Sequence, residues 1–374
     1  MARIGIDARL WTKTGVGRYI RNLIRSLASQ EGSGKHQFFI FALSEDSSSI
    51  KGLPANFKTV PADYYWHSVG EQFGFNALLN SYDLNLMHFT YSPAPYLYNR
   101  PYVITVHDLI MIKMKTGRAS TLPYPIYFLK GKIYKKLLTK SVRSSGHILV
   151  PTKTVKDELK SEFDVDSKKV TVTYEGFDPL LHSKDKSSLP GNLINRKYFL
   201  YVGNAYPHKN IETLISGFIK FEEEHAGYNL VLVGKKDFFY TRLQRESNLL
   251  KNTAIQYLSE VNDTVLSSLF SNAAAYVTAS KSEGFGLPVL ESLSHLTPVI
   301  VSDIPVFHEI APYGSVFFNE SDSMELAMKM DYVIKHSDVI RKEIKDNQKH
   351  LVENYSWDVL AQQTLAVYES CIGL

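Results

Sequence analysis

The sequence predicts an α/β protein made of two similar units, each a parallel sheet with helices on both faces. Three observations carry this expectation. Short apolar runs alternate with amphipathic runs almost throughout the chain, as strand–helix alternation requires. The rhythm lapses at YEGFDPLLHSKDKSSLPGNLINRK, residues 174–197, a polar stretch with Gly, Pro and Ser that suits an interdomain linker, and then restarts. The length of 374 residues fits two domains, at roughly 100–200 residues per domain.

Taken in order, RIGID (3–7) reads as a buried strand, and Ile20, Leu23, Ile24, Leu27 and Ala28 follow it at helical spacing. QFFIFAL (37–43), LNLMHF (84–89), YVITVHD (102–108) and HILVPT (147–152) read as further strands. After residue 180, KYFLYVG (197–203) precedes a helix with Ile211, Leu214, Ile215 and Phe218 on one face. NLVLVG (229–234), AIQYL (254–258), AAYVTA (274–279) and PVIVSD (298–303) then alternate with helical segments. Ligands of open α/β sheets bind outside the carboxyl ends of the strands. Two such units are expected to turn those ends toward a central cleft.

Composition narrows the function classes. Hydrophobic residues at 44% and charged residues at 21% are ordinary for a globular protein with real cores. A formal charge of +4 gives no global field for nucleic acid. The single cysteine, Cys371, cannot form an internal disulfide, which fits a reducing compartment. MARIGIDARLW has no signal-peptide core, and no apolar run is long enough to span a bilayer. A cytoplasmic protein is expected, with any membrane contact peripheral.

Four stretches carry candidate chemistry. In SEGFGLPVLESL (282–293), Glu283 and Glu291 lie eight positions apart around two glycines and Pro288, which suits the first turn of a helix. The acids either complement a helix dipole or hold the hydroxyls of a ligand whose phosphates sit on the helix amides. In VGNAYPHKNIETLI, Lys209 stands where a helix opens after a strand, a receptor for a diphosphate unless it is a solvated surface lysine. In the first loop, Gly15 and Gly17 precede a helix, so they either tighten its start or let amides approach a phosphate. VITVHDL puts His107 and Asp108 at a strand's carboxyl end, where the imidazole either caps the strand or meets a sugar hydroxyl.

A fifth stretch suggests a surface. Residues 109–146 hold nine Lys or Arg and no acid, with Tyr, Leu, Ile and Phe interleaved as in YPIYFLKGKIYKKLL. Such a basic amphipathic element is either a solvated helix face or an attachment to anionic lipid over 111–143. No nucleic-acid motif accompanies it, so nucleic acid is not an expected partner.

These blocks together resemble the retaining glycosyltransferases of family 4, which have the GT-B fold of two facing Rossmann-like domains. The resemblance runs nearly end to end. SEGFGLPVLESL matches the family's signature of two glutamates with seven residues between them, and GVGRYIRNL, TVHDL, VPTKTVKDEL and PHKNIETLI match its other blocks. YSWDVLAQQTLAVY (355–368) resembles the family's C-terminal helix, which returns to the N-terminal domain. The resemblance implies an acceptor-binding domain over 1–176 joined by a helix at about 356–374, and a donor-binding domain over 177–355. It implies three catalytic residues: His107, hydrogen-bonded to the transferred sugar, Glu283 on the donor sugar's hydroxyls, and Lys209 on the diphosphate. It places Glu291 on the ribose, the segment Gly284, Phe285, Gly286, Leu287, Pro288 and Val289 around the diphosphate through the amides near Phe285 to Val289, and Gly15 and Gly17 near phosphate or sugar. The segment from Tyr257 to Val261 would lie beside the base. Asn204 stands near where many members have an Arg.

PHKN and IGIDARLWTKTGVGRY look most like members that transfer mannose in making bacterial surface polysaccharides. This implies GDP-mannose as donor and a glycan or lipid-linked acceptor. No cofactor and no metal are expected: DVD (164–166), the sole Asp-x-Asp, falls in a predicted surface segment. A different class, a non-catalytic sugar-nucleotide-binding or assembly subunit on the same fold, is the alternative. A nicotinamide oxidoreductase is disfavoured, because the glycines come eight residues after Asp7 and Ile20 fills the third small-residue position.

Overall fold

A computed structural model describes residues 1–114, 124–177, 188–246, 252–259 and 261–373. They fall into two compact units, one made of 1–113, 124–176 and 355–373, the other of Met114 and the described residues in 177–354.

The first unit holds a seven-stranded sheet in the order β3-β2-β1-β4-β5-β6-β7, with every pairing parallel. Its strands are β1 (Arg3–Asp7), β2 (Gln37–Ala42), β3 (Phe57–Pro61), β4 (Leu86–Phe89), β5 (Tyr102–Thr105), β6 (His147–Val150) and β7 (Val170–Val172). The inner strands β4 and β5 are buried along their whole length, the pattern of a sheet covered on both faces. The second unit holds a six-stranded parallel sheet in the order β10-β9-β8-β11-β12-β13. These strands are β8 (Lys197–Val202), β9 (Tyr228–Val233), β10 (Ile255–Leu258), β11 (Ala275–Thr278), β12 (Val299–Ser302) and β13 (Ser315–Phe318).

Strand order reverses between β1 and β4 in the first sheet and between β8 and β11 in the second. Chain connections leave those two strands in opposite directions, so their carboxyl-end loops diverge and open a crevice. Each unit therefore has one topologically dictated place for a ligand.

The helix Trp357–Cys371 belongs to the first unit, packed on the helix Thr14–Ser29. Its buried Tyr368 reaches through to the sheet: the hydroxyl lies 2.6 Å from His88 Nδ1, and His88 Nε2 lies 2.8 Å from Thr105 Oγ1. No helix of the described residues is long and apolar enough to cross a membrane.

Candidate functional site

The second unit's switch point is built from the loops after β8 and β11. After β8, Pro207–Lys209 form a single tight turn and Asn210 takes the left-handed conformation, φ 52° and ψ 42°. Such a backbone favours Asn over most residues because its short polar side chain can bond locally. Asn210 is buried, and its Nδ2 donates to the carbonyls of Ala279, at 3.1 Å, and Glu320, at 2.7 Å. It therefore ties together the loops that follow β8, β11 and β13. The Lys281 amide adds a bond to the His208 carbonyl at 2.8 Å.

This stitching sets Lys209 against Glu283. The ammonium lies 2.6 Å from Oε1 and 2.8 Å from Oε2, with side chains only 20% and 11% exposed. Burial pushes the Glu283 carboxyl toward neutrality, but Lys209, His208 and the Ser280 hydroxyl outweigh it and hold it below the usual carboxylate range. Burial, reinforced by Lys209 and opposed by Glu283, lowers His208 to about 4, so this imidazole is neutral at physiological pH. The constellation thus carries one cation and one anion that cancel.

Gly286 ends the loop. It sits at φ 111°, and a Cβ there would come within 3.0 Å of the Phe307 ring. Glycine is required, and the turn it makes starts the helix Leu287–Ser294 with Pro288 in its first turn. Gly284, Phe285, Gly286, Leu287, Pro288 and Val289 form this loop and helix start. Glu291 falls in the second turn and is buried at 7% exposure. Asn204 is used within its own turn: its Oδ1 accepts from the Tyr206 amide at 3.3 Å and its carbonyl accepts from Tyr201 Oη at 2.7 Å. Tyr257, on β10, donates its hydroxyl to the Gly234 carbonyl at 2.6 Å, and Val261 lies in the segment before the helix Asp263–Asn272.

The first unit's switch point gathers different groups. His107 follows β5; its Nε2 donates to the Thr90 carbonyl at 2.9 Å and its Nδ1 lies 3.4 Å from Glu175 Oε1. Acceptors therefore flank both ring nitrogens, and Tyr19 sets its ring edgewise against the imidazole at 4.7 Å between centroids. Gly15 and Gly17 do not precede the helix as the sequence suggests; the helix starts at Thr14 and contains both. The two differ: a Cβ on Gly17 would lie 2.5 Å from the Trp11 carbonyl oxygen, whereas one on Gly15 would meet open space. Gly17 has a packing reason to be glycine, and among the described residues Gly15 has none. Below them, Arg9 is clamped by Asp7 Oδ2 at 2.7 Å and Glu71 Oε1 at 2.8 Å, which pins the loop that carries Tyr64 and His67.

The sequence points to Lys209 and Glu283 without their pairing, and it gives no role to Asn210, Ser280, Thr90 or Glu175. The asparagine left a weak signal, an Asn at a helix start. Glu175 gave none, because it lies in the stretch read as linker. Asp164 and Asp166, the Asp-x-Asp, act as caps: Asp164 ends a helix at φ 52° and the Asp166 carboxylate accepts from the Lys168 amide at 2.9 Å. Among the described residues no group of three or more His, Cys, Asp or Glu is placed to hold a metal. A cavity of about 460 Å³ opens beside Gly314, Ser315 and Val316, at the amino end of β13, and contains none of the named site residues.

Two parallel sheets, each with a strand-order reversal, and a Lys–Glu pair before a glycine-started helix at one of them define a doubly wound α/β protein, and comparison makes the class definite. Residues 186–363 match the family model described as glycosyl transferases group 1, and residues 13–179 match glycosyltransferase family 4. The O-antigen chain mannosyltransferase RfbU of Salmonella typhimurium is 32% identical over 298 residues, 78% of each chain. Sucrose-phosphate synthase of Thermosynechococcus elongatus superimposes over all of both chains with a TM-score of 0.78 at 16% identity. Anabaena HepE, in complex with UDP and glucose, gives 0.75 at 14% identity, covering 99% of this chain and 100% of its own. The chain belongs to the group 1/family 4 glycosyltransferases, and its two Rossmann-like domains are of the GT-B class.

Proposed function

We propose that the protein transfers a hexose, mannose from GDP-mannose, to a hydroxyl of a glycan or lipid-linked acceptor, with retention at the anomeric carbon. The observation that carries the donor half is the Lys209–Glu283 pair at the β8/β11 switch point, beside the helix that starts after Gly286. A cation, helix amides and a carboxylate in one set of loops suit a diphosphate and sugar hydroxyls of one ligand. Mannose is favoured by the Salmonella relative's name, a mannosyltransferase. HepE, bound to UDP, makes UDP the competing nucleotide to test.

In this reading the second unit holds the donor and the first the acceptor. Glu291 takes the ribose, Glu283 the sugar hydroxyls, and Tyr257 to Val261 the base. Lys209 and the amides around 284–289 take the diphosphate, while His107 hydrogen-bonds the transferred sugar and Gly15 gives a bare approach. The acceptor oxygen bonds to the anomeric carbon on the face the diphosphate leaves. The carbon–oxygen bond to phosphate breaks through an oxocarbenium-like state, and the acceptor proton passes to the departing phosphate oxygen. Lys209 stabilises the charge that develops there. No metal takes part, so EDTA leaves the rate unchanged.

Attachment to the cytoplasmic face of an anionic membrane completes the proposal. On the helix Tyr124–Ser144, Ile126, Phe128, Leu129 and Ile133 are exposed beside Lys130, Lys132 and Lys136, which have no ion-pair partner among the described residues. Lys113 and Lys135 are instead neutralised by Glu158 and Glu162; Lys115 and Arg118 lie outside the described residues. Cosedimentation with phosphatidylglycerol vesicles should fall with salt; binding indifferent to salt refutes the electrostatic part.

A thermal-shift panel of GDP, UDP, ADP and their sugars tests the donor, since a ligand of the folded state raises the melting temperature by mass action. GDP and GDP-mannose are expected to stand out, and transfer should fall by about 100-fold or more in Lys209→Ala and Glu283→Ala. If no nucleotide shifts the transition, the donor reading fails. Binding without transfer, indifferent to both substitutions, supports the non-catalytic subunit instead.

A further inference from the structure

The cation that the donor reading assigns to a diphosphate, Lys209, is paired with Glu283. Both carboxylate oxygens of Glu283 lie within 2.8 Å of Lys209 Nζ, and the Glu283 side chain is only 11% exposed. A ligand that draws Lys209 away leaves the shielded Glu283 carboxylate with the Ser280 hydroxyl but without its cation, and a buried charge that has lost its counter-charge is strongly unfavourable. Hydrogen-bond donors brought by the same ligand can make up the difference. An intact nucleoside diphosphate-sugar brings them, because its sugar hydroxyls accompany its phosphates. The free nucleoside diphosphate left after transfer does not.

We infer that the Lys209–Glu283 pair is a latch that discriminates donor from spent nucleotide: the intact sugar nucleotide opens it at both ends, while the free diphosphate must open it alone and is expelled as it closes. The inference rests on the donor reading above and adds a direction to it. Glu283 then serves twice, by holding the sugar before transfer and by reclaiming Lys209 after it. The geometry suits that second task. The pair needs no new loop position to reform, since Asn210 and the Lys281–His208 bond fix both loops against each other.

The test is calorimetric titration of the full chain with GDP and GDP-mannose, and with UDP and UDP-glucose as a second matched pair. Wild type is expected to bind the sugar nucleotide at least tenfold tighter than its free diphosphate. Glu283→Gln is nearly isosteric and removes the charge, so free diphosphate should tighten by about tenfold, ~1.4 kcal/mol, while the sugar nucleotide weakens. Glu283→Asp, one carbon shorter, is the second arm and moves diphosphate affinity the same way by a smaller factor. An unchanged or weaker diphosphate affinity in both variants overturns the latch. So does equal tightening of diphosphate and sugar nucleotide, which is the mark of bulk electrostatics alone. If wild type binds neither matched pair, the donor reading falls, and the latch with it.

Discussion

The buried chain from Tyr368 through His88 to Thr105 makes a specific acid sensitivity. His88 is fully buried, and burial first, then the neighbouring His107, lowers its pKa from 6.5 to about 3. The folded protein therefore keeps His88 neutral, whereas the unfolded chain protonates it near 6.5. Stability from this group is present above that value and is lost as pH falls toward 3. Between pH 7.5 and pH 5.0 the loss works out at about 2 kcal/mol for this one residue. His88→Gln can still bridge Tyr368 and Thr105 but cannot titrate. All three tryptophans, Trp11, Trp66 and Trp357, lie in the first unit, so urea unfolding followed by their fluorescence reports that unit. The wild type should lose about 2 kcal/mol more than the variant over this pH step. Equal pH dependence in the two proteins would refute the reasoning.

Other perturbations follow from the loops. Asn210→Ala removes two side-chain donors, from the buried Ala279 carbonyl and the partly buried Glu320 carbonyl, and puts Ala at φ 52°; it should destabilise the second unit by about 2–4 kcal/mol, and calorimetry showing no change would remove its stitching role. Gly17→Ala drives a Cβ onto a backbone oxygen and should cost about 1–3 kcal/mol. Gly15→Ala meets open space and should keep or slightly raise the melting temperature; a simultaneous drop in transfer would mark Gly15 as ligand-facing, and unchanged transfer would release it from the site. Gly286→Ala, at φ 111°, should lower both stability and nucleotide-induced thermal shift if the helix start it shapes belongs to the proposed donor site; a full thermal shift in the variant would contradict that.

The class of fold was legible because the inner strands are apolar throughout. The strands the sequence reading missed are β3, β7 and β13, and each lies at a sheet edge. FKTVP, VTV and SVFF are short and partly exposed, so polar and apolar positions mix and no run stands out. The same limit applies to the site. Motif spacing points to Lys209 and Glu283 singly, but their meeting depends on a left-handed Asn and two loop bonds between residues about 70 positions apart, which no local pattern encodes. The basic stretch illustrates the converse. It contains no acid, yet two of its lysines are neutralised by Glu158 and Glu162 of the next helix, which lie beyond the basic stretch in sequence.

The helix Trp357–Cys371 carries a consequence for synthesis and engineering. The opening half of the polypeptide leaves the ribosome with His88 lacking its Tyr368 partner, and it waits for some 180 further residues before that wall can be closed. Cutting the chain ahead of residue 357 should thus injure the amino-terminal body and spare the one beside the cut.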